Sequence, residues 1–450
     1  MIKNYFKIAW RNLFQSKSFT ILNIAGLSTG MACSILILLW VQNEVSYDKF
    51  HSDSEKIYRC IVGFGDFKTA VSSAGIGPDV KEELSEIEAV VRTTKFKKVL
   101  FNVGNKIFEE NRFMYVDPNF LSFFDFPLLL GEKEAALKDP NTIILTETMA
   151  KKFFGEENAL GKIIKFNNST NMKITGVLKD LPPNSHFNFD FISSTVTIAK
   201  ENKDFANKTW GEFNYYSYFK LSENVSSSAT GVLDLENKIN IIASKRLNNK
   251  TFDFRLQPLE DIHLYSDLQL DVAGHGNNQY VSIFFVVALF ILVVACINFM
   301  NLSTARSAKR SKEVGIRKAI GAHRGQLIGQ FLSESVLLSI ISLILAVGIV
   351  FLVLPYFNEI SGKELSIDVT KSNFWLSLIA IILVTGLFAG SYPAVYLSGF
   401  KPATVLKGKL KASGNNIFFR NSLVTIQFVI SAVLIAVSYT HLTLPTICSV

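Results

Sequence analysis

The chain has 450 residues, of which 49% are hydrophobic and 19% charged, with a formal charge of +8. That apolar share exceeds what a soluble chain of this length needs. The positive charge raises nucleic acid as a partner, yet its distribution argues against one. Residues 43–279 hold 28 Lys and Arg against 33 Asp and Glu, a net of −5, while the rest of the chain holds 18 against 5, a net of +13. The excess lies in three short stretches, around Lys3 to Lys17, Arg306 to Arg324 and Lys401 to Arg420, and none of them reads as a folded basic face.

In chain order, residues 1–18 mix Tyr5, Phe6, Ile8, Leu13 and Phe14 with Lys3, Lys7 and Arg11, the pattern of an amphipathic helix on an inner membrane surface. Residues 19–42 follow as the first of four apolar stretches of roughly 20 residues, long enough for a helix to cross the hydrocarbon layer. The others are 280–303, 327–354 and 374–397. The first is read as an uncleaved anchor, because its apolar core is too long for a signal peptide and lacks a clear small-residue cleavage site.

Residues 43–279 are long enough for a core of their own. Strand-like runs are expected at 56–64, 142–145, 162–166, 172–178, 187–192, 215–221 and 252–258. Helices are expected at 78–88, at 147–154 behind Thr146 as cap, and at 230–247 with Val232, Leu235, Ile239 and Ile242 on one face. This alternation predicts an α+β domain in two lobes. Basic connections at 304–326 and 398–420, with a short mixed loop at 355–373, place the amino terminus inside and the large domain outside by the positive-inside bias.

Residues 421–436 begin like another span, and Arg420-Asn421 repeats the Arg11-Asn12 that precedes the first, which suggests a second copy of the unit. Ser438, Tyr439, Thr440 and His441 then interrupt the apolar run. The hexapeptide at 437–442 reads as one frame of a transposon-derived sequencing adapter would, so residues 437–450 are expected to be a non-native tail.

Chemistry-bearing motifs are sparse. GEENALGK at 155–162 has one residue too many for a phosphate-binding loop and continues into Ile163, so Gly155 and Gly161 read as turn residues. His51, His186, His263, His275, His323 and His441 show no metal-ligand spacing, and no nucleophile signature is present. Catalytic, cofactor and metal residues are therefore none. Cys33 and Cys296 fall in spans, Cys60 alone lies in the large domain and Cys448 in the tail, which implies no disulfide framework. Glu334 is the one carboxylate within the spans, near the start of the third, where a structural placement is favoured over proton transfer. Asn298 and Asn301 are expected to hydrogen-bond between helices.

The segment RSKEVGIRKAIGA, from Arg310 to Ala322, followed by a span opening QFLSES, resembles the cytoplasmic connection of FtsX-type ABC-transporter permeases, the superfamily of macrolide exporters and lipoprotein-releasing permeases. GSYPAVYLSGFKPATVLKG resembles the end of that unit. YVDPNFLSFFDFPLLLGE with AKKFFGEENALGKIIKFNN resembles the MacB-like periplasmic core domain of the macrolide-exporter group.

The resemblance implies an α-helical transmembrane bundle of four spans plus the start of a fifth, with a large α+β extracytoplasmic domain inserted between spans 1 and 2, in the bacterial inner membrane. It implies a coupling helix at Glu313, Val314, Gly315, Ile316, Arg317, Lys318, Ala319, Ile320, Gly321 and Ala322, docked on a separate ATPase. Ile316, Ala319 and Ile320 would fill an apolar groove there, and Arg317 and Lys318 would meet acidic side chains. Expected partners are two copies of a cytoplasmic ATPase holding ATP and Mg, the lipid bilayer, and a periplasmic adaptor with an outer-membrane channel. Export or efflux is the leading reading. A transmembrane signal transmitter that regulates a cell-wall hydrolase or sensor kinase, or lipoprotein release, stays open.

Overall fold

The computed structural model describes residues 10–11, 13, 17–225, 228–248, 252–272, 275–305, 307–370, 372–399 and 414–443. The expected amphipathic helix at 1–18 and the linker at 398–420 lie largely outside the described residues, as does the end of the tail. The chain divides into two compact units, Asn43–Asn278 and the remainder.

The first long helix, α1 (Lys17–Val45), carries the chain across the boundary between the units. Thirteen strands follow among the described residues: β1 (Ile57–Phe64), β2 (Phe67–Thr69), β3 (Ser72–Ser73), β4 (Ile87–Thr94), β5 (Lys97–Val103), β6 (Lys106–Val116), β7 (Leu128–Gly131), β8 (Thr142–Thr146), β9 (Ile163–Phe166), β10 (Thr170–Leu178), β11 (Phe191–Ser194), β12 (Phe213–Leu221) and β13 (Asp253–Pro258). The longer helices of this unit are α2 (Ile76–Glu83), α3 (Glu147–Phe154) and α4 (Ala229–Arg246).

The strands form two lobes. β11, β8, β10, β9, β5 and β6 pair in that order, and β11 pairs back onto β6, so six strands close a ring. Its interior is filled by Phe101, Phe113, Ile143, Leu145, Ile164, Met172, Ile174 and Phe191, with Met149 and Phe153 of α3 packed beside them. β4, β12, β1 and β13 form an open antiparallel sheet. On one face α2 and α4 contribute Ile76, Val80, Leu235, Ile239 and Ile242 to its core. A third cluster is rich in phenylalanine, with Phe120, Phe123, Phe124, Phe126, Phe187 and Phe189 all buried; each such ring contributes about 2–3 kcal/mol on burial. The lobes meet where β4 and β6 pair at a single position, Thr93 with Val116.

Several elements depart from the sequence expectations for local reasons. The expected strand at 187–192 is formed only at Phe191–Ser194, because Asn184 to Phe187 bond to Asp48, Ser46 and one another instead of a ladder. The helix expected at 78–88 spans Ile76–Glu83, and Glu88 lies in β4. Gly155 (φ +64°) caps α3 and Gly161 (φ +81°) turns into β9, the backbone roles read from the sequence.

The other unit contains α5 (Asn278–Ala305), α6 (Ser307–Ala319), α7 (Arg324–Ser361), α8 (Ser372–Ser398) and α9 (Gly414–Thr443). Among the described residues, five helical stretches are long and apolar enough to cross a membrane: Lys17–Val45, Asn278–Ala305, Arg324–Ser361, Phe374–Ser398 and Phe418–Ala436. α7 runs through Pro355 to Ser361 instead of ending at 354, and closes on left-handed Gly362. There Asn358 donates to the Leu365 carbonyl (2.9 Å) and accepts from its N–H (3.2 Å). α9 likewise continues helical past Ala436 to Thr443. Ser438 to His441 break the apolar run but still supply backbone donors and acceptors, which is all a helix requires.

Two seams bring helices close. A Cβ added at Gly30 of α1 would lie 2.5 Å from that of Ala295 on α5, and one at Gly390 of α8 would lie 2.7 Å from that of Ser335 on α7. Small residues at such seams let backbones approach where lipid offers no hydrophobic drive. Ser34 adds a hydrogen bond to the Ala288 carbonyl (2.9 Å). The side-chain oxygen of Asn301 is buried without a hydrogen-bond partner, contrary to the expectation of an interhelical bond from it.

Candidate functional site

The basic connection between α5 and α7 folds as an antiparallel helical hairpin. α6 ends in a Schellman turn, in which the N–H of Ala322 donates to the Arg317 carbonyl and that of Gly321 to the Lys318 carbonyl, both at 3.0 Å. Gly321 has φ +101°, a conformation that a side chain would strain. The N–H of His323 then donates to Gln326 Oε1 (3.2 Å) as α7 begins.

The sequence-predicted residues divide between the two faces of α6. Val314 and Gly315 face inward, and Val314 packs with Leu327, Phe331, Ala394 and Leu397. Glu313, Ile316, Ala319, Ile320 and Gly321 face outward; Ile316 is 52% and Ile320 82% exposed. Lys318 and Ala322 are half-buried. Arg317 is committed within the hairpin, donating to Gln330 Oε1 (2.5 Å) and to Glu313 Oε1 (2.6 Å).

Glu334, singled out as the carboxylate within the spans, is buried and held by Arg310 of α6 in a two-pronged pair, one bond being Nη1 to Oε2 at 2.9 Å. Arg310 also lies over the Phe331 ring. A planar guanidinium matches a carboxylate in two parallel bonds, which fixes orientation as well as charge. With Val314 and Arg317, this pair makes α6 and the start of α7 one braced element. Glu334 is thus paired within the hairpin.

A second buried polar cluster begins where the chain enters the Asn43–Asn278 unit. Glu44 Oε2 lies 2.7 Å from His263 Nε2, each side chain 2% exposed. The His263 ring stacks on Tyr47 with centroids 3.4 Å apart. Gly276 closes over this pair, donating its N–H to the His263 carbonyl (2.9 Å); a Cβ there would come within 2.6 Å of Glu44 Oε2.

One turn further on, Asp48 accepts from the backbone N–H of His186 (3.1 Å), and its carboxylate lies 2.9 Å from His186 Nδ1. His186 Nε2 meets the Tyr218 hydroxyl at 3.0 Å. His51 Nδ1 accepts from the N–H of Asp125 (3.0 Å), which assigns its tautomer. Burial pushes the His51 pKa down to about 4, with His186 adding to the effect and Asp48 and Asp125 opposing it. The cluster ties the end of α1 to the segment leading into α5. Sequence reasoning missed it, since its partners lie 138 and 219 residues apart.

Among the described residues, no group of three His, Cys, Asp or Glu is placed to hold a metal ion. Neither cluster presents an open nucleophile–base pair. Both hold neighbouring segments together through buried polar contacts.

Residues 20–231 match the family described as MacB-like periplasmic core domain, and residues 285–402 match that described as FtsX-like permease C-terminal. The macrolide export ATP-binding/permease protein MacB of Campylobacter jejuni is 26% identical over 89% of this chain and 61% of that protein. The uncharacterized ABC transporter permease YvrN of Bacillus subtilis is 21% identical over 90% of this chain and 99% of its own. The crystal structure of the periplasmic region of MacB from Actinobacillus actinomycetemcomitans shares 17% identity, covering 46% of this chain and 90% of that one, with a TM-score of 0.35. The chain spans between 38% and 61% of the length of the first MacB relatives it matches. The apolar helices and the periplasmic-type domain fit an inner-membrane protein. The two family matches, one over the first long helix and most of the large domain and the other over the helices that follow it, make this an ABC-transporter permease of the FtsX-like type with a MacB-like periplasmic core domain.

Proposed function

We propose that this permease transmits motion from a separate cytoplasmic ATPase to its extracytoplasmic domain, and that this motion drives export or efflux of a substrate handled on the outer side. The observation that carries the reading is the pairing of an exposed apolar face with a rigid support. Ile316 and Ile320 stand out from a hairpin whose inner face is locked by Arg310–Glu334, Arg317–Gln330 and Val314. Exposed apolar side chains on a helix outside the apolar spans fit a partner's groove. A push on α6 then moves α7 with it, because the two are pinned at three levels.

In this reading the amino terminus and the hairpin are cytoplasmic, two copies of an ATPase bind ATP and Mg, and α1 and α5 carry the motion outward. Arg317 is engaged within the hairpin by Gln330 and Glu313, so the docking rests on Ile316 and Ile320. A periplasmic adaptor and an outer-membrane channel complete the path.

The test is Ile316→Glu in the full-length protein reconstituted with its ATPase. An uncompensated charge buried in an apolar groove weakens such a complex by about a hundredfold or more. Co-purification and stimulated ATP hydrolysis should both fall while membrane insertion is kept. Unchanged association in the inserted variant sinks the docking role. Orientation is tested by labelling a cysteine at Ile320 with a membrane-impermeant reagent; Ser311 is unsuitable because it is fully buried and would be spared on either side.

A further inference from the structure

The two lobes of the Asn43–Asn278 unit part where β4 and β6 share only one residue pair, and a cleft of about 230 Å³ opens at that point. Its walls are apolar: Phe96, Met114, Phe187, Leu270 and Val272. Two polar groups reach it without a partner among the described residues. Lys95 lines the cleft, is exposed, and has no carboxylate within ion-pair distance. Tyr216 is 96% buried, yet its hydroxyl makes no hydrogen bond within the fold. A hydroxyl on a largely buried ring at a cleft wall offers a directed donor to a ligand atom.

The wall also holds Thr93, Thr94 and Asp271, and of these the charged one, Asp271, is already committed. Arg59, itself fully buried, grips it in two bonds, one of 2.9 Å, and Ser266 and His275 add contacts. Burial alone would raise the Asp271 carboxyl, but the bonds from His275 and Arg59 outweigh it and hold the group well below the usual carboxylate range. Its charge is therefore matched, and the net electrostatic character of the cleft is set by Lys95. Burial also pushes the Tyr216 phenol up to about 12, with the Asp271 charge adding and that of Arg59 opposing, so it stays a neutral donor.

We infer that this cleft is a binding site for a small amphipathic anion, its apolar body seated on Phe96, Met114, Phe187 and Val272 and its acidic head held by Lys95 and the Tyr216 hydroxyl. An ammonium supplies charge attraction and the phenol a directed hydrogen bond, while the shape of the apolar walls selects a compact body. A carboxylate or sulfonate head satisfies both donors at once. A cationic amphiphile satisfies neither and meets the Lys95 charge. The chemistry is shared by a short acyl chain ending in carboxylate and by the carboxyl end of an apolar peptide. This inference is independent of the docking proposed for α6.

The test uses the full-length chain in lipid nanodiscs, titrated calorimetrically with naphthalene-2-sulfonate against empty nanodiscs. One site per chain is expected. Lys95→Met should weaken it about tenfold, and Tyr216→Phe about threefold to tenfold, with thermal unfolding unchanged since one residue is on the surface and the other keeps its ring. 2-Naphthylmethylamine should not compete. Decanoate and N-acetylphenylalanine serve as competitors: displacement by the first assigns the site to acyl chains, by the second to peptide ends. Absence of sulfonate binding, equal binding of the amine, affinity unaltered in both variants, or displacement by neither competitor overturns the inference.

Discussion

The hairpin and the domain entrance solve one mechanical problem with different chemistry. Each pins helix to neighbour through a buried carboxylate and a nitrogen base. At the hairpin the base is a guanidinium, which stays charged at any pH a cell meets, and Arg310–Glu334 is two-pronged. At the entrance the bases are imidazoles: His263 on Glu44, His186 on Asp48, and His51 on the backbone of Asp125. The hairpin brace carries no imidazole, whereas the entrance includes His51, whose pKa burial lowers to about 4. The difference between the two can be broken experimentally.

The largest effect is expected at the hairpin. Glu334→Gln leaves the Arg310 charge buried and unmatched, which costs about 3–5 kcal/mol. Thermal unfolding of the inserted protein should drop, and Arg310→Met combined with Glu334→Leu should restore most of it. If the single variant is as stable as the parent at every pH, the brace is not structural.

The entrance should show the next largest effect, and only in acid. His51 is neutral in the fold, with its pKa lowered from 6.5 to about 4. The unfolded chain takes up the proton first, so this stability is complete above pH 6.5 and is lost as pH falls from 6.5 towards 4, by about 3 kcal/mol at most. His51→Asn keeps an acceptor for the Asp125 N–H but cannot titrate, so its unfolding should vary less steeply across that window. An unchanged slope would assign the acid response elsewhere.

Helix approach comes third. Gly390→Ala places a methyl 2.7 Å from Ser335 Cβ, so α7 and α8 must separate. Overpacking of this kind costs about 1–3 kcal/mol. Cysteine crosslinking between α7 and α8 should slow in the variant, and an unaltered rate would show that the seam can adjust. The smallest effect is at the hairpin turn, where Gly321→Ala strains a left-handed residue by about 1 kcal/mol. Its readout is a modest fall in ATPase stimulation, of the same sign as that of Ile316→Glu but weaker; an increase would contradict the role of the turn.

Much of the plan could be read in the residues because it depends on local periodicity. Long apolar runs mark α1, α5, α7 and α8, since a bilayer demands length and hydrophobicity over consecutive residues. Thr146 before α3 and the stripe Leu235, Ile239 and Ile242 in α4 are visible for the same reason. The hairpin β5–β6 was equally legible in principle, for Gly104-Asn105 between alternating runs is a turn signal that went unread. Element ends were less legible: the apolar run bounded at 354 continues as helix through Pro355, because a proline removes one donor without forbidding the turns on either side.

By itself, then, the sequence determined that this chain carries several membrane-crossing helices, one large inserted domain and a basic connection with an ordered motif. The tertiary structure decided where their side chains go. It turned Arg317 inward to Gln330, left Ile316 and Ile320 outside, gave Glu334 its Arg310, and brought Glu44 to His263 across 219 residues. It also closed β11 onto β6 and opened the cleft at Lys95 and Tyr216 where β4 departs. Those pairings are invisible in one dimension because charge, burial and hydrogen bonding act over a few ångströms of space, whatever the separation along the chain.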